Sequence, residues 1–148
     1  MSNVLSLEHT GIPLHLIEKK DFAAWLEQQP ESTQHWLIAS GFKGYGSAVL
    51  PKPNGELAEA LCVTESLTDY FACGQLASTL PAGTYKPINS LSTEQWTAVA
   101  FGWGVGAYRF DRYTEKKPAV AQLAIADEKA YQQAVYLVEA TKKVRDLV

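Results

Sequence analysis

The stretch from Ser92 to Tyr113 constrains the fold most. Wound as an α-helix, it carries apolar residues around most of its circumference. At about 3.6 residues per turn, one stripe of core-type residues forms, and Phe101, Val105 and Tyr108 lie on the opposite side. A helix that is hydrophobic on most of its circumference is normally buried on several sides. The sequence therefore predicts a central helix. Its main stripe consists of Trp96, Val99, Trp103, Gly106 and Phe110, flanked by Ala100 and Ala107.

The ends of this helix also have local signals. Ser92 followed three residues later by Gln95 is a capping box, which predicts the first turn. At the other end, Asp111 and Arg112 return the pattern to polar residues.

Three glycines inside the helix need an explanation, because each costs about 1 kcal/mol relative to alanine. One interpretation is close packing, with Gly102 and Gly106 opening a groove for a neighbouring element. The other is a dinucleotide fingerprint, Gly102-x-Gly104-x-x-Ala107. That fingerprint must follow a strand and open a helix, whereas here it lies in mid-helix. Packing is favoured, with Gly106 at the contact and Gly104 expected to tolerate alanine.

The run TAVAFGWGVGAYRFDRY, Thr97 to Tyr113, resembles the signature of the N-terminal domain in the leucine aminopeptidase family, the two-metal M17 peptidases. Gly83-Thr-Tyr85 is a weaker similarity. The end of the chain, Val144 to Val148, resembles the place where that family passes into its catalytic domain. Between these anchors the resemblance covers the chain loosely.

The resemblance implies an α/β fold similar to the macro domains, without implying their ADP-ribose ligand. It further implies that residues 1–148 are an accessory domain and that the catalytic domain is absent from this chain. The parent enzyme would release N-terminal amino acids from peptides with two zinc or manganese ions. By resemblance those ions are held in the C-terminal domain, the enzyme is a hexamer, and the partners are that catalytic domain and peptide substrates.

Composition sets the broad class. The chain has 148 residues, 47% hydrophobic and 20% charged, which suits one globular domain. A net charge of −3 without a long basic run gives no indication of a nucleic-acid partner. No signal-peptide pattern or membrane-length apolar segment occurs, so a cytoplasmic protein is predicted. Cys62 and Cys73 are predicted to be buried reduced thiols, a disulfide being the lesser alternative.

The remaining elements alternate between strand and helix patterns, which predicts a three-layer α/β or α+β domain with a mixed sheet. Asn54-Gly55 predicts a hairpin whose first strand lies at the sheet edge because it is bounded by Pro51 and Pro53. Asp21 and Asp127 are candidate helix caps. The other predictions are strands at 12–17, 47–50, 56–63, 84–88 and 119–125, helices after Asp21, near Ser32 and after Asp127, a weak helix at 69–79, and a turn at 116–118.

No catalytic, cofactor or metal-binding residue is assigned. The histidines, His9, His15 and His35, are scattered, and His15 is expected to lie on a strand face. Glu56 and Glu59 form the only acidic pair considered. The fragment alone is therefore predicted to be inactive, without a bound cofactor.

Two other functions stay open. The loop Gly41 to Gly46, with Lys43, could form an anion nest, which would suit a stand-alone macro-like module for a nucleotide or phosphate. A connector is favoured because no phosphate-loop motif completes it. The Ser-x-x-Lys pattern from Ser40 to Lys43 also occurs in acylating hydrolases. A four-residue match without the other motifs of that class is expected by chance. The third function is purely structural, shaping access to the active site and helping oligomer assembly.

The C-terminal helix, Glu128 to Val148, has an apolar arc wider than one core needs. Its core stripe is predicted at Ala130, Ala134, Leu137, Thr141, Val144 and Val148. A second group, Tyr131, Val135 and Val138, is predicted to be an interaction surface, covered by the catalytic domain or a neighbouring subunit. The helix lacks a Gly or Pro stop and is expected to continue into a further domain.

Overall fold

A six-stranded mixed sheet forms the centre of the molecule. The structure is a computed structural model that describes residues 4–69, 73–112 and 121–146. Five strands run parallel and β3 is antiparallel at one edge, in the order β1-β6-β5-β2-β4-β3. The strands are β1 (Leu5–Ser6), β2 (Ile12–Glu18), β3 (Gly46–Pro51), β4 (Leu57–Thr64), β5 (Gly83–Pro87) and β6 (Ala121–Ala124).

Helices cover both faces of this sheet. Successive side chains of β2 and β4 point to opposite faces, so these strands contribute to two separate hydrophobic clusters. Leu14 and Leu16 belong to the larger cluster, with α3, α4 and α5, while Ile17 belongs to the smaller one, with α1 and α2. The predicted three-layer α/β architecture with a mixed sheet is confirmed. The helices are α1 (Phe22–Glu27), α2 (Glu31–Ala39), α3 (Leu76–Thr79), α4 (Thr93–Arg112) and α5 (Glu128–Asp146).

The central helix α4 confirms the strongest sequence prediction. The capping box is present in both directions: Ser92 N–H donates to Gln95 Oε1 at 3.0 Å, and Gln95 N–H donates to Ser92 Oγ at 3.1 Å. Trp103 is fully buried, and its indole Nε1–H donates to the carbonyl of Ala121 at 3.0 Å. The side chains of residues 108–112 lie outside the described part. No helix in the described ranges is both long and apolar enough to cross a membrane.

The hairpin prediction is also confirmed. Strands β3 and β4 pair antiparallel around Asn54-Gly55, where Gly55 has φ +90°, and β3 is the outer strand of the sheet. Trp36 of α2 donates its Nε1–H to the carbonyl of Val49 at 2.8 Å. This bond covers part of the exposed edge.

Several local predictions need correction. The weak helix expected over 69–79 is the four-residue α3, preceded by a turn at Cys73–Gln75. Asp21 makes no capping hydrogen bond to α1, because a short 3-10 turn at Lys19–Asp21 leads directly into that helix. Strand β1 is a strand that the sequence did not predict, since two residues carry no period-2 pattern. The turn predicted at 116–118 lies outside the described residues.

The rotation of α5 about its axis also differs from the prediction. Asp127 Oδ1 does accept from the N–H of Ala130 at 3.1 Å, so the predicted cap is confirmed. The buried stripe, however, runs through Ala130, Ala134 and Val138, which are 0% exposed, whereas Val144 is 63% exposed. The physical reason is the contact with α4, where Val138 packs directly over Gly104. Val148 lies outside the described residues.

Two glycines of α4 allow neighbouring elements to approach closely. A Cβ placed at Gly106 would lie 1.6 Å from the carbonyl oxygen of Gly74, in the turn before α3. A Cβ at Gly104 would lie 2.7 Å from Val138 Cγ2. The packing interpretation of Gly106 agrees with this geometry. The expectation that Gly104 tolerates alanine does not, because α5 leaves no room there.

We predict that Gly106→Ala destabilises the chain by about 2 kcal/mol or more and Gly104→Ala by about 1 kcal/mol. The first new methyl meets a backbone carbonyl, while the second meets a side chain that can shift slightly. Urea unfolding of both variants, which carry the same chemical change in one helix, measures the difference. Combining Gly104→Ala with Val138→Ala should remove the penalty of the added methyl. Equal midpoints for Gly106→Ala and wild type would show that the Gly74 contact is absent.

Candidate functional site

A cleft of about 420 Å³ opens at the carboxyl end of β4, between the edge strand β3 and the short helix α3. In α/β sheets, ligands bind outside the carboxyl ends of the parallel strands. The cleft is therefore the first candidate site. We call it the β4 cleft, and its lining residues are Tyr45, Gly46, Ser47, Cys62, Val63, Thr64, Glu65, Asp69, Gln75, Leu76 and Thr79.

The rim of the β4 cleft is polar, and a side chain at the end of strand β2 helps to fix its position. Glu18, the last residue of β2, accepts from the backbone N–H of Leu67 at 3.0 Å, which fixes the segment after β4. Lys19 Nζ lies 3.6 Å from Glu65 Oε1 and 5.9 Å from the centre of the Tyr45 ring. Both members of the Lys19–Glu65 pair are largely exposed, so this ion pair contributes less than about 1 kcal/mol. The rim can therefore rearrange at low cost.

Cys62 lines the β4 cleft, and Cys73 lies in the turn before α3, buried in the larger core. Both are free and buried, which agrees with the prediction of reduced thiols. The hydrogen bond from Cys73 lowers the pKa of the Cys62 thiol, although burial opposes this effect. Donation to Cys62 and burial raise the pKa of the Cys73 thiol well above its usual value. The sequence did not indicate this mutual influence, because the spacing of the two cysteines matches no known motif.

Sequence reasoning also missed the polar rim. Thr64 and Glu65 follow directly after a predicted buried strand, and polar residues at such a position are the available signal for a site. That the strand runs parallel to β2, so that this end faces a cleft, follows only from the sheet order.

The glycine loop, Gly41 to Gly46, is a connector in the structure. Gly41, Gly44 and Gly46 all have positive φ, as an anion nest could require. However, the N–H of Gly41 donates to Ile38 at 3.1 Å and that of Phe42 donates to Leu37 at 3.0 Å. These amides satisfy the last carbonyls of α2, as at many helix C-termini. They are not directed at a ligand.

Ser40 is equally committed to the end of α2. Its hydroxyl donates to the carbonyl of Leu37 at 3.1 Å, as a local helix-terminating contact. The Ser-x-x-Lys match with Lys43 therefore has a structural explanation.

His15 has a structural environment on the smaller-core face of β2. Its Nε2 lies 2.6 Å from Glu59 Oε1, and its ring contacts the Trp25 ring edge-on at a centroid distance of 5.2 Å. The imidazole is 8% exposed. The expectation that His15 is a strand-face residue agrees with this position. Its partner Glu59 lies on the neighbouring strand, which sequence spacing could not reveal.

The described ranges hold no group of three or more His, Cys, Asp or Glu side chains that could bind a metal ion. His35 lies 3.8 Å from Glu31 on the exposed side of α2, far along the chain from the other histidines. The residues that the structure describes therefore do not bring together the ligands of a two-metal centre.

Comparison with protein families gives the identity of the domain. Residues 12–126 match the model described as the N-terminal domain of M17 aminopeptidases. The chain belongs to this family. A search among curated proteins found no match to this chain.

A solved structure supports the fold of this M17 N-terminal domain. The chain is similar to the crystal structure of a cytosol aminopeptidase from Coxiella burnetii, with a TM-score of 0.75 and 22% sequence identity. The match covers 91% of this chain and 30% of that protein, so the chain spans less than a third of its length. At this identity the similarity concerns the fold.

The predicted interaction residues of the M17 N-terminal domain occupy different environments. Val138 is fully buried and packs under α4 against Gly104. Tyr131 and Val135 are partly buried and pack against the larger core. Among the described side chains of this helix, the exposed large hydrophobic ones are Tyr136, at 72%, and Val144. A role of Tyr131, Val135 and Val138 in binding stays a prediction.

We predict that Glu59→Ala destabilises the domain by about 1–3 kcal/mol, because it leaves the His15 imidazole without its partner. Glu56→Ala is the matched control. Glu56 is exposed and lies 4.0 Å from Lys52, so its loss should change the free energy of unfolding by less than about 0.5 kcal/mol. Urea midpoints at neutral pH measure both. Similar values for the two variants would contradict a structural role of the His15–Glu59 pair.

Proposed function

We propose that this chain is the non-catalytic N-terminal domain of a two-metal aminopeptidase that releases N-terminal amino acids from peptides. The observation that carries the proposal is the match of residues 12–126 to the M17 N-terminal domain family. The similarity to less than a third of a cytosol aminopeptidase is consistent with a larger parent protein. In this proposal residues 1–148 are the accessory domain, and a catalytic domain follows.

The proposal assigns no catalytic, cofactor or metal-binding residue to this domain. Two zinc or manganese ions would be held by the catalytic domain, where they would polarise the peptide carbonyl and activate a water molecule. Two residues of metal-ligand type, His15 and Glu59, contact each other in a partly buried pair. The role left to the domain is to support the catalytic domain and shape access to it.

The partners in this proposal are the protein's own catalytic domain, peptide substrates of the parent enzyme, and further copies of the enzyme in a cytoplasmic hexamer. We assign the contact to α5, with Tyr131 and Val135 at its border and the exposed Tyr136 beside them. An aromatic side chain that is 72% exposed on a helix is a typical anchor for such a contact.

The alternative, a stand-alone nucleotide- or phosphate-binding module, has less support. Its candidate site was the glycine loop, whose amides at Gly41 and Phe42 are already used by α2. The cavity beside this loop measures about 330 Å³ and is bordered by the aromatic residues Trp36, Phe42 and Tyr45, with Lys43 as its one cationic side chain. A single exposed lysine gives weak recognition of a phosphate group.

We predict that the purified chain does not hydrolyse leucine p-nitroanilide, with or without added zinc or manganese. Absorbance of released nitroaniline measures this, with a complete cytosol aminopeptidase as the positive control. Turnover that rises with added manganese, disappears with chelator and co-purifies with the chain would contradict the proposal. In parallel, calorimetric titration with inorganic phosphate and ADP tests the alternative. Saturable binding that Lys43→Ala abolishes would favour it.

A further inference from the structure

Strand β3 is the outer strand of the sheet and pairs with β4 on one side only. In an antiparallel strand, successive residues direct their N–H and C=O groups alternately to one side and to the other. Half of the backbone groups of β3 therefore point away from the sheet. Such an edge is a template for one further strand wherever it is not covered.

The hairpin shows which residues of β3 face outward. Lys52, one residue beyond the strand, donates its N–H to the carbonyl of Glu56 at 2.6 Å and so faces β4. The register shift near the hairpin adds its extra residue to β4, so the alternation along β3 is unbroken. Counted back from Lys52, the backbone groups of Val49 and Ser47 point outward.

Most of this edge is already blocked. The carbonyl of Val49 accepts from Trp36 Nε1–H, in agreement with its outward direction. Pro51, the next outward residue, has no N–H to donate. Within the described ranges, the outward groups of Ser47 and Val49 that keep no partner are both groups of Ser47 and the N–H of Val49. We call this short free edge the Ser47 opening.

A cavity lies on each face of the sheet at the Ser47 opening. The β4 cleft includes Leu76 and lies on the side of the larger core. The cavity beside the glycine loop, which we call the aromatic cavity for Trp36, Phe42 and Tyr45, includes Phe42 of the smaller core. Ser47 and Tyr45 line both cavities. Because side chains of a strand alternate between faces, those of an added strand would enter the two cavities in turn.

The β4 cleft favours a basic side chain. Its lining includes the carboxylates of Glu65 and Asp69. Lys19 lies beside Glu65, but both side chains of this ion pair are largely exposed, so exchange for another cation costs little. The cleft therefore offers charge complementarity to a lysine or arginine.

The aromatic cavity favours an apolar side chain, because three aromatic rings border it. Ser47, like Val49, directs its side chain to the face of the larger core. A residue directly opposite Ser47 on an added strand shares that face and enters the β4 cleft. Its two neighbours point to the other face, toward the aromatic cavity.

We propose that the Ser47 opening binds an extended segment of a separate polypeptide, which adds antiparallel to β3 with a basic residue opposite Ser47 and an apolar residue on each side of it. In the antiparallel direction one residue satisfies both groups of Ser47. The backbone hydrogen bonds supply affinity, and the two cavities supply selectivity. This binding does not depend on the proposed aminopeptidase function.

A second copy of this chain fits the Ser47 opening less well. Two β3 edges paired around Ser47 would place a serine, not a basic residue, opposite Ser47. They would also bring together two β4 clefts that carry the same carboxylates, Glu65 and Asp69. Each edge would in addition carry the side chain of Trp36. A separate segment of complementary charge avoids these conflicts.

The test is binding of a fluorescein-labelled peptide, Thr-Val-Arg-Val-Thr with blocked ends, measured by fluorescence anisotropy on the folded chain. Saturable binding is expected. N-methylation of the arginine amide, which donates to the Ser47 carbonyl, should weaken binding by about tenfold. N-methylation of the following valine amide, which faces solvent, is the matched control and should leave the affinity unchanged. No saturable binding, or equal losses from the two methylations, would overturn the proposal.

Two charge reversals test the place of the basic side chain. Glu65→Lys should weaken binding of this peptide by about tenfold and favour a peptide with glutamate in place of arginine. Glu56→Lys is the matched control, because Glu56 is equally exposed, lies outside both cavities and gives the same change in net charge. Equal effects of the two variants would overturn the assignment of the basic residue to the β4 cleft.

Amide hydrogen exchange locates the bound segment. At saturation with the peptide, the amides of Ser47 and Val49 should exchange about tenfold more slowly or less, because both become hydrogen-bonded. Binding that leaves these two amides unprotected would show docking elsewhere and would overturn the proposal. Protection of Ser47 without peptide, together with a dimer in sedimentation, would identify a second copy as the occupant and would also overturn it.

Discussion

The rest of the domain depends on close packing against α4, which is possible because two positions of this helix are glycine. At Gly104 and Gly106, α4 contacts its neighbours at distances that a Cβ would prevent. The contact at Gly104 fixes α5 through Val138, and the contact at Gly106 fixes the turn before α3 through Gly74. Each glycine costs helix stability, and the cost is offset by close packing in the larger core. Immediately before the two glycines, α4 contributes the fully buried Trp103.

The β4 cleft is a consequence of the same contacts. Because the turn before α3 is held against α4, the residues Gln75, Leu76 and Thr79 that follow it form one wall of the cleft. The other wall is strand β3, whose position follows from the hairpin at Asn54-Gly55. Polar residues at the end of β4, Thr64 and Glu65, form part of its rim.

Most polar groups that could suggest catalysis are explained by packing. His15 and Glu59 pair across neighbouring strands beneath Trp25, where a buried polar group needs a partner. Ser40 and the first amides of the glycine loop satisfy the end of α2. These uses agree with a domain that supports an enzyme by its shape. They also show why short motif matches in this chain had little meaning.

The sequence by itself determined the features that depend on neighbours a few residues away. These are the capped start of α4, its burial on several sides, the hairpin with its edge strand, the cap at Asp127 and the α/β class. The tertiary structure alone decided which face of α5 is buried, as Val138 against Val144 shows. It also decided the pairing of His15 with Glu59 across neighbouring strands. Those outcomes depend on sheet order and helix docking, which join residues far apart in the chain, and local periodicity contains no information about such distances.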